Sequence, residues 1–370
     1  MLHLENPLNE LLDVSAQNNK LSGYDCSVYH HHKEIYRRTV GFSNIERKIP
    51  LSKDTAYHIY SNTKVISCAA ALQLYEKGKF LLEDHIGRYF PVMEKMTVKT
   101  PTGLQEAQNP ITIRDLFCMT AGIGGGMMTP ELGLRVHREV GEHARPIDLI
   151  PYLAEIPLEF EPGTGYYYGI CHEVLAALIE KIADQPFSEY LKEHIFVPLG
   201  MEHTSFDEQH FAPDTIACHY QYNGPDEKPS NLGSKNCLIP PLLKESASGG
   251  LISTVDDYMK FQEALCTGDV ILRKRTIHLM RLNQLQGTQW DGYGYTHLGM
   301  GYGLGVRTIV DQAKCGSPAG FGSFGWGGAA GSYGSIDPEN ELTFFYMQQM
   351  FGTDDLHTHH ALRNIIYSAI

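Results

Sequence analysis

Ser61-Asn62-Thr63-Lys64 leads directly into the run Val65 to Leu74, in which only Ser67 and Gln73 are plainly polar. A helix that is apolar nearly all round belongs inside a protein, so this stretch predicts a buried central helix around which the rest of the chain must wrap. Residues three apart on a helix share a face, with Cβ atoms roughly 5–6 Å apart, so the Lys64 amine can reach the Ser61 hydroxyl. A charged side chain is rarely buried without a partner, and burial favours the neutral amine. The backbone N–H groups at the helix start also repel an ammonium and favour an alkoxide. Ser61 and Lys64 are therefore candidates for a nucleophile and its base. A capping serine followed by a lysine that snorkels to solvent gives the same four letters, so the rest of the chain must decide.

The length of 370 residues allows a large core and two or three domains. The 30 Lys+Arg against 43 Asp+Glu give a formal charge of −13, which repels nucleic acid and anionic membranes. Neither is expected as a partner. Membrane spans need about 18 or more uncharged apolar residues in a row, and no segment offers them. The start, Met1-Leu2-His3-Leu4-Glu5-Asn6-Pro7, does not resemble a secretory signal. Cys26, Cys68, Cys118, Cys171, Cys218, Cys237, Cys266 and Cys315 are scattered without a Cys-x-x-Cys pair, which fits reduced thiols and a cytoplasmic location.

Along the chain, Glu5 to Asn19 reads as an amphipathic helix. Tyr24 to Tyr29 and Ile35 to Val40 read as strands of a hairpin joined through His30-His31-His32-Lys33. Thr55 to Tyr60 is an extended lead-in to the buried helix, which ends near Gly78. Helical patches follow at Ile111 to Met119, Pro146 to Glu155 and His172 to Ile182. Strand patterns return at Tyr302 to Val310, Ser332 to Asp337 and Glu341 to Met350, and Asp354 to Ser368 reads as a helix. Strands at both chain ends predict one sheet built from residues 1–90 and 241–370, with a mostly helical lobe, 91–240, inserted and the active site between them.

Several motifs carry a family resemblance. They are Ser61-Asn62-Thr63-Lys64, Ile113-Arg114-Asp115-Leu116-Phe117 with Thr120-Ala121-Gly122, Pro162-Gly163-Thr164-Gly165-Tyr166-Tyr167-Tyr168, Pro198-Leu199-Gly200-Met201 and Ser248-Gly249-Gly250-Leu251-Ile252-Ser253-Thr254. In this order the chain resembles the serine β-lactamase and penicillin-binding protein superfamily, and within it the class C β-lactamase-like family VIII carboxylesterases. The resemblance implies an α/β (α+β) fold of the β-lactamase-like transpeptidase type, a central antiparallel sheet flanked by helices with the lobe inserted. It implies a serine hydrolase with an acyl-enzyme mechanism and no cofactor.

By the same resemblance Tyr168 is the second catalytic element, Trp326-Gly327-Gly328-Ala329 stands where β-lactamases carry Lys-Thr-Gly, and the backbone N–H groups of Ser61 and Ala329 form the oxyanion hole. Trp326, Gly327 and Gly328 would line the substrate. The family's Tyr-x-Asn is here Tyr168-Gly169-Ile170, so the asparagine expected to hold the amide of a β-lactam is missing. With the cation of the third motif also replaced, a carboxylate-bearing substrate loses its electrostatic partner. A short-acyl or otherwise neutral ester is the expected substrate. β-Lactamase, DD-peptidase or D-amino-acid amidase activity is the alternative within the same chemistry, and a non-hydrolytic acyl-trapping sensor or binding module the alternative outside it. The partner is a small-molecule ester or amide in the first two cases; oligomeric state is not encoded legibly.

Other features have plain readings. Tyr166 and Tyr167 are expected to pack. Gly124-Gly125-Gly126 lacks the Gly-Lys-Ser/Thr of a phosphate loop and reads as a loop beside the cleft. His30-His31-His32 and His357, His359 and His360 lack an adjacent carboxylate or cysteine pattern that would fix a coordination shell, so no metal is expected. Asp256 and Asp257 read as first-turn acids of a capped helix, and His203 as structural.

Overall fold

A computed structural model describes residues 2–124, 130–141, 144–238 and 245–370. Gly125 and Gly126 of the glycine run and the expected boundary at 240/241 lie outside the described residues.

Helix α1 (Leu2–Asn18) buries Leu4, Leu8 and Leu12, one helical stripe. Strands β1 (Gly23–His30) and β2 (Lys33–Asn44) then form the expected hairpin. After β3 (Ala56–His58) the chain tightens into a single 3₁₀ turn, Tyr60–Asn62, and enters α2 (Thr63–Glu76). Every residue of α2 from Thr63 to Leu74 is buried, as the apolar run demands. The helix ends at Glu76, two residues before Gly78, which takes the left-handed conformation at φ 65°.

Helices α3 (Ile113–Cys118) and α4 (Cys171–Ala183) pack together, and α4 packs on α2. The segment 91–240 also holds strands: Thr97–Thr100 pairs with Gly103–Glu106, and His219–Gln221 with Ser230–Gly233. Strand β4 (Ile252–Thr254) joins β3 on one side and Thr204–Ser205 on the other. Thr254 caps α5 (Val255–Thr267) by accepting from the Asp257 N–H. Asp257 is buried there, and its carboxylate also receives the His203 N–H and the Thr204 hydroxyl, so the Asp257 and His203 positions are structural.

The central sheet continues through β5 (Met300–Tyr302), β6 (Arg307–Ile309), β7 (Phe324–Gly325), β8 (Tyr333–Asp337) and β9 (Leu342–Met347). Among the described residues its order is β5-β6-β7-β8-β9-β1-β2, with Ile49–Pro50 on the outer edge, and every pairing is antiparallel. The chain ends meet at β1 and β9, in register from Asp25↔Met347 to His30↔Leu342. Helix α6 (Asp355–Ser368) lies beside α1, while α5 packs against β1, β8 and β9. With α5 packed on it, β9 is buried at all six positions, polar Thr343 included, which fits its mostly apolar sequence.

One strand expectation is corrected. Tyr302 to Val310 is two antiparallel strands with a turn between them, closed by the Gly303 N–H to the Val306 carbonyl at 2.7 Å. Gly305 turns there with φ 81°, and a Cβ on it would lie 2.2 Å from Cys68 Sγ of α2. The glycine lets this turn rest directly on the helix that carries Lys64. No helix among the described residues is long and apolar enough to cross a membrane.

Candidate active site

The expected pair meets at the start of α2. Lys64 Nζ lies 3.2 Å from Ser61 Oγ, with Lys64 only 4% exposed and Ser61 half-buried. The turn that delivers Ser61 is strained: Tyr60 has φ 44°, a region costly for a residue with a large side chain. Tyr60 is held there by burial, by its hydroxyl at 2.8 Å from His219 Nε2, and by ring contacts with His58 and Phe351. The turn sets the serine just ahead of α2, at the helix mouth.

Lys64 makes a second, shorter contact, donating to the Ser248 carbonyl at 2.6 Å. The peptides around Ser248 are fixed by Glu173 on α4, a carboxylate 2% exposed. It accepts from the Ser246 hydroxyl at 2.6 Å, the Ala247 N–H at 3.0 Å and the Ser248 N–H at 3.1 Å. The Ser67 hydroxyl, one turn beyond Lys64, donates to the Ala247 carbonyl at 2.9 Å. Glu173 was not expected from the sequence; its signal is an acid within the apolar stretch Ile170 to Ile182.

Tyr168 arrives on a loop anchored to the end of α3: the Gly163 N–H donates to the Thr120 carbonyl and the Tyr167 N–H to the Met119 carbonyl. Its ring presents its face to Lys64 Nζ, 4.7 Å from the centroid, and its phenol oxygen accepts from the Trp326 indole N–H at 3.0 Å. Tyr168 is 41% exposed, whereas Trp326 is 9% exposed and wedged edge-on against Tyr302. Tyr166 packs against Tyr293 and Tyr302, the structural role expected of it. Burial holds the Tyr166 and Tyr302 phenols far above their ordinary range. Below Lys64, buried His172 sits 3.5 Å from Cys68 Sγ and 3.3 Å from the Phe117 carbonyl, its pKa pushed down to about 3 chiefly by burial. It is a neutral floor.

The Trp326-Gly327-Gly328-Ala329 segment leaves β7 and turns back into β8, with the Gly328 N–H donating to the Ser332 carbonyl and the Gly331 N–H to the Gly328 carbonyl. A Cβ on Gly328 would lie 2.3 Å from Ser332 Oγ and 2.7 Å from the Ile59 carbonyl. Only glycine allows the turn to lie flush on the backbone that leads to Ser61. Asn62 locks the two together, its amide donating to Ser332 Oγ at 2.7 Å while its Oδ1 accepts from the Tyr258 hydroxyl at 3.3 Å. Ala329 is exposed at the tip, and its N–H has no acceptor among the described residues. The fold thus gathers Ser61, Lys64, Tyr168 and Trp326, and seats the glycine turn against the serine's own segment.

Comparison with known proteins gives the chain's family and fold. The chain is 29% identical over 346 residues to protein Rv1367c of Mycobacterium tuberculosis, covering 89% of this chain and 86% of that one. It is 26% identical over 357 residues to esterase EstB of Burkholderia gladioli, with the same coverage of 89% and 86%. Among solved structures, EstCE1, described as a hydrolase with promiscuous acyltransferase activity, superposes with a TM-score of 0.81 at 22% identity over 99% of both chains. The fold is therefore the β-lactamase/transpeptidase-like fold. A family model described as Beta-lactamase matches residues 8–367, so the chain belongs to that family and is a serine hydrolase.

Proposed function

We propose that the protein is an esterase acting on short-acyl, neutral esters through an acyl-enzyme. Ser61 Oγ attacks the ester carbonyl as Lys64 Nζ takes its proton, and the N–H groups of Ser61 and Ala329 receive the developing oxyanion. Tyr168, beside Lys64, passes the proton to the departing alkoxide and later helps draw one from the water that cleaves the acyl-enzyme. Trp326, Gly327 and Gly328 line the substrate, in a cleft between the 1–90 and 241–370 unit and the 91–240 lobe. The location is the cytoplasm, a reading supported by eight free cysteines, seven of them buried.

One observation carries the choice of a neutral ester. The segment Phe324 to Ala329 offers no cationic side chain, and Trp326 spends its only donor on Tyr168. A substrate carboxylate would meet an indole where it needs a charge, which speaks against penicillins and peptide C-termini. Ile170 in place of an amide removes a second polar contact for a β-lactam.

The test compares p-nitrophenyl acetate and butyrate with nitrocefin, on wild type and Ser61→Ala. Ester turnover that exceeds nitrocefin turnover and disappears in Ser61→Ala is the expected result. Full ester turnover by Ser61→Ala sinks the nucleophile assignment, and nitrocefin turnover rivalling the esters sinks the neutral-ester reading. A stable acyl-Ser61 adduct without turnover, seen by intact-mass spectrometry, would make the protein an acyl sensor instead.

A further inference from the structure

The tip of the β1–β2 hairpin is built against its own geometry. His31 and His32 form the two-residue loop between His30 and Lys33, with φ 51° and 60°. Such loops select Asn-Gly or Gly-Gly, because both central residues must be left-handed. Two histidines there carry backbone strain that a turn alone does not require. The strain delivers each imidazole to an acid: His31 Nδ1 lies against Glu341, and His32 Nδ1 lies 2.9 Å from Glu263 Oε2.

Glu263 sits on α5, and three residues later on the same face comes Cys266, its side chain nearly buried. A carboxylate and a thiol are thus brought to the histidine run by a helix more than two hundred residues away in the chain. One ligand atom from each of His32, Glu263 and Cys266 falls within 4.8 Å of the other two.

We infer that His32 Nδ1, a Glu263 carboxylate oxygen and Cys266 Sγ form a Zn²⁺ site that pins the hairpin tip to α5. The nitrogen, oxygen and sulfur donors match the borderline softness of zinc better than that of calcium or magnesium. Tetrahedral zinc holds its ligand atoms about 3.5 Å apart, so the widest separation closes by roughly 1 Å, within reach of a rotamer adjustment of exposed His32. Water completes the shell. The Thr343 hydroxyl already donates to the other Glu263 oxygen and orients the carboxylate. On binding, the Cys266 thiol gives its proton to solvent and forms the Zn–S bond, and His32 binds as the neutral tautomer protonated on Nε2.

The surroundings favour a cation. The carboxylates of Glu263, Asp337, Glu341 and Glu339 set a negative field around Cys266, which attracts a divalent ion. The ion would also act on α5 as a whole, the helix whose Tyr258 bonds Asn62 beside Ser61.

The experiment titrates the full chain, stripped with chelator, with Co²⁺ as a spectroscopic substitute and with Zn²⁺ while following thermal unfolding. A single equivalent of Co²⁺ should give a thiolate-to-metal charge-transfer band and visible bands of tetrahedral intensity. Cys266→Ser should lose the charge-transfer band, and His32→Ala and Glu263→Gln should each weaken binding by roughly tenfold or more. Zinc should raise the Tm of wild type but not of His32→Ala, a change at an exposed position that leaves the core intact. Absence of the band in wild type, its survival in Cys266→Ser, or unaltered affinity in both His32→Ala and Glu263→Gln overturns the assignment.

Discussion

The indole N–H of Trp326 donates to the phenol oxygen of Tyr168 across 3.0 Å, joining the end of β7 to the loop before α4. The contact fixes which way the phenol faces while Lys64 Nζ sits over its ring. Trp326→Phe keeps the aromatic wedge against Tyr302 and removes only the donor. A lost hydrogen bond of about 1 kcal/mol predicts a roughly fivefold fall in kcat on p-nitrophenyl butyrate, with KM little changed. Unaltered kcat means that the indole orients nothing the reaction uses.

Lys64 and Tyr168 have separable roles in the proposed chemistry. Lys64→Met removes the proton acceptor nearest Ser61, and general-base catalysis is typically worth about 10²–10⁴ in rate. Tyr168→Phe keeps the ring face against position 64 and removes the phenol, so its loss should be smaller, about 10²-fold. Steady-state rates together with fluorophosphonate labelling of Ser61 check both. Rapid labelling in Lys64→Met would show that another group takes the proton.

Glu173 acts at one remove. Its carboxylate holds the Ser246 hydroxyl and the Ala247 and Ser248 N–H groups, and the Ser248 carbonyl holds Lys64 Nζ. Glu173→Gln turns one oxygen into an NH₂ facing a backbone donor, leaving a buried donor unpaired at about 1–3 kcal/mol. The expected signature is a lower Tm and a fall in kcat exceeding any change in KM, because the displaced carbonyl lets Lys64 drift from Ser61. A Tm loss without a kcat loss would reduce Glu173 to a purely structural part.

Gly328 offers a steric test. A methyl there meets Ser332 Oγ at 2.3 Å and the Ile59 carbonyl at 2.7 Å, so Gly328→Ala must push the turn away from the Tyr60–Asn62 segment. If the Ala329 N–H serves the oxyanion, displacing it costs about 10²–10³ in kcat. Wild-type kcat in a folded Gly328→Ala would remove Ala329 from the proposed oxyanion hole.

The proximity of Ser61 and Lys64 was legible because helical spacing carries it, that of Tyr168 because the family resemblance implies it, and the α2 core because its run is apolar but for Ser67 and Gln73. That both chain ends contribute to one sheet was legible from the strand-like stretches Tyr24 to Tyr29, Ile35 to Val40 and Glu341 to Met350, although the β1–β9 register itself was not. What was hidden depends on contacts across the chain. Nothing in the letters places Trp326 on Tyr168, 158 positions away, or Glu263 and Cys266 against His32. Tyr60 gives no warning of a positive φ, since tyrosine is not a residue that seeks one. Tyr302 to Val310 reads as a strand because its apolar residues alternate well, and the turn at Gly303 and Gly305 becomes evident only from the helix it must clear.

Acid sensitivity follows from buried imidazoles. Burial lowers His58 to about 4 and His172 and His219 to about 3, and burial with nearby Arg side chains lowers His359 to about 3 and His360 to about 4. Each is neutral when folded and takes up a proton on release near its ordinary 6.5. Between about pH 4 and 6.5 the unfolded chain therefore binds more protons, and stability rises with pH through that window. Asp25 and Asp355, pushed up to about 6 chiefly by burial, act in the opposite sense over part of it, but the imidazoles outnumber them. Each net proton taken up on unfolding steepens the dependence by about 1.4 kcal/mol per pH unit. Urea unfolding should give a lower midpoint near pH 5 than near pH 7, and calorimetry in buffers of different ionisation enthalpy should show proton uptake. The ring proton signal of His172 should stay flat through neutrality. A midpoint that rises on acidification, or a His172 signal that titrates near 6.5 in the folded protein, contradicts the buried neutral imidazoles on which this sign rests.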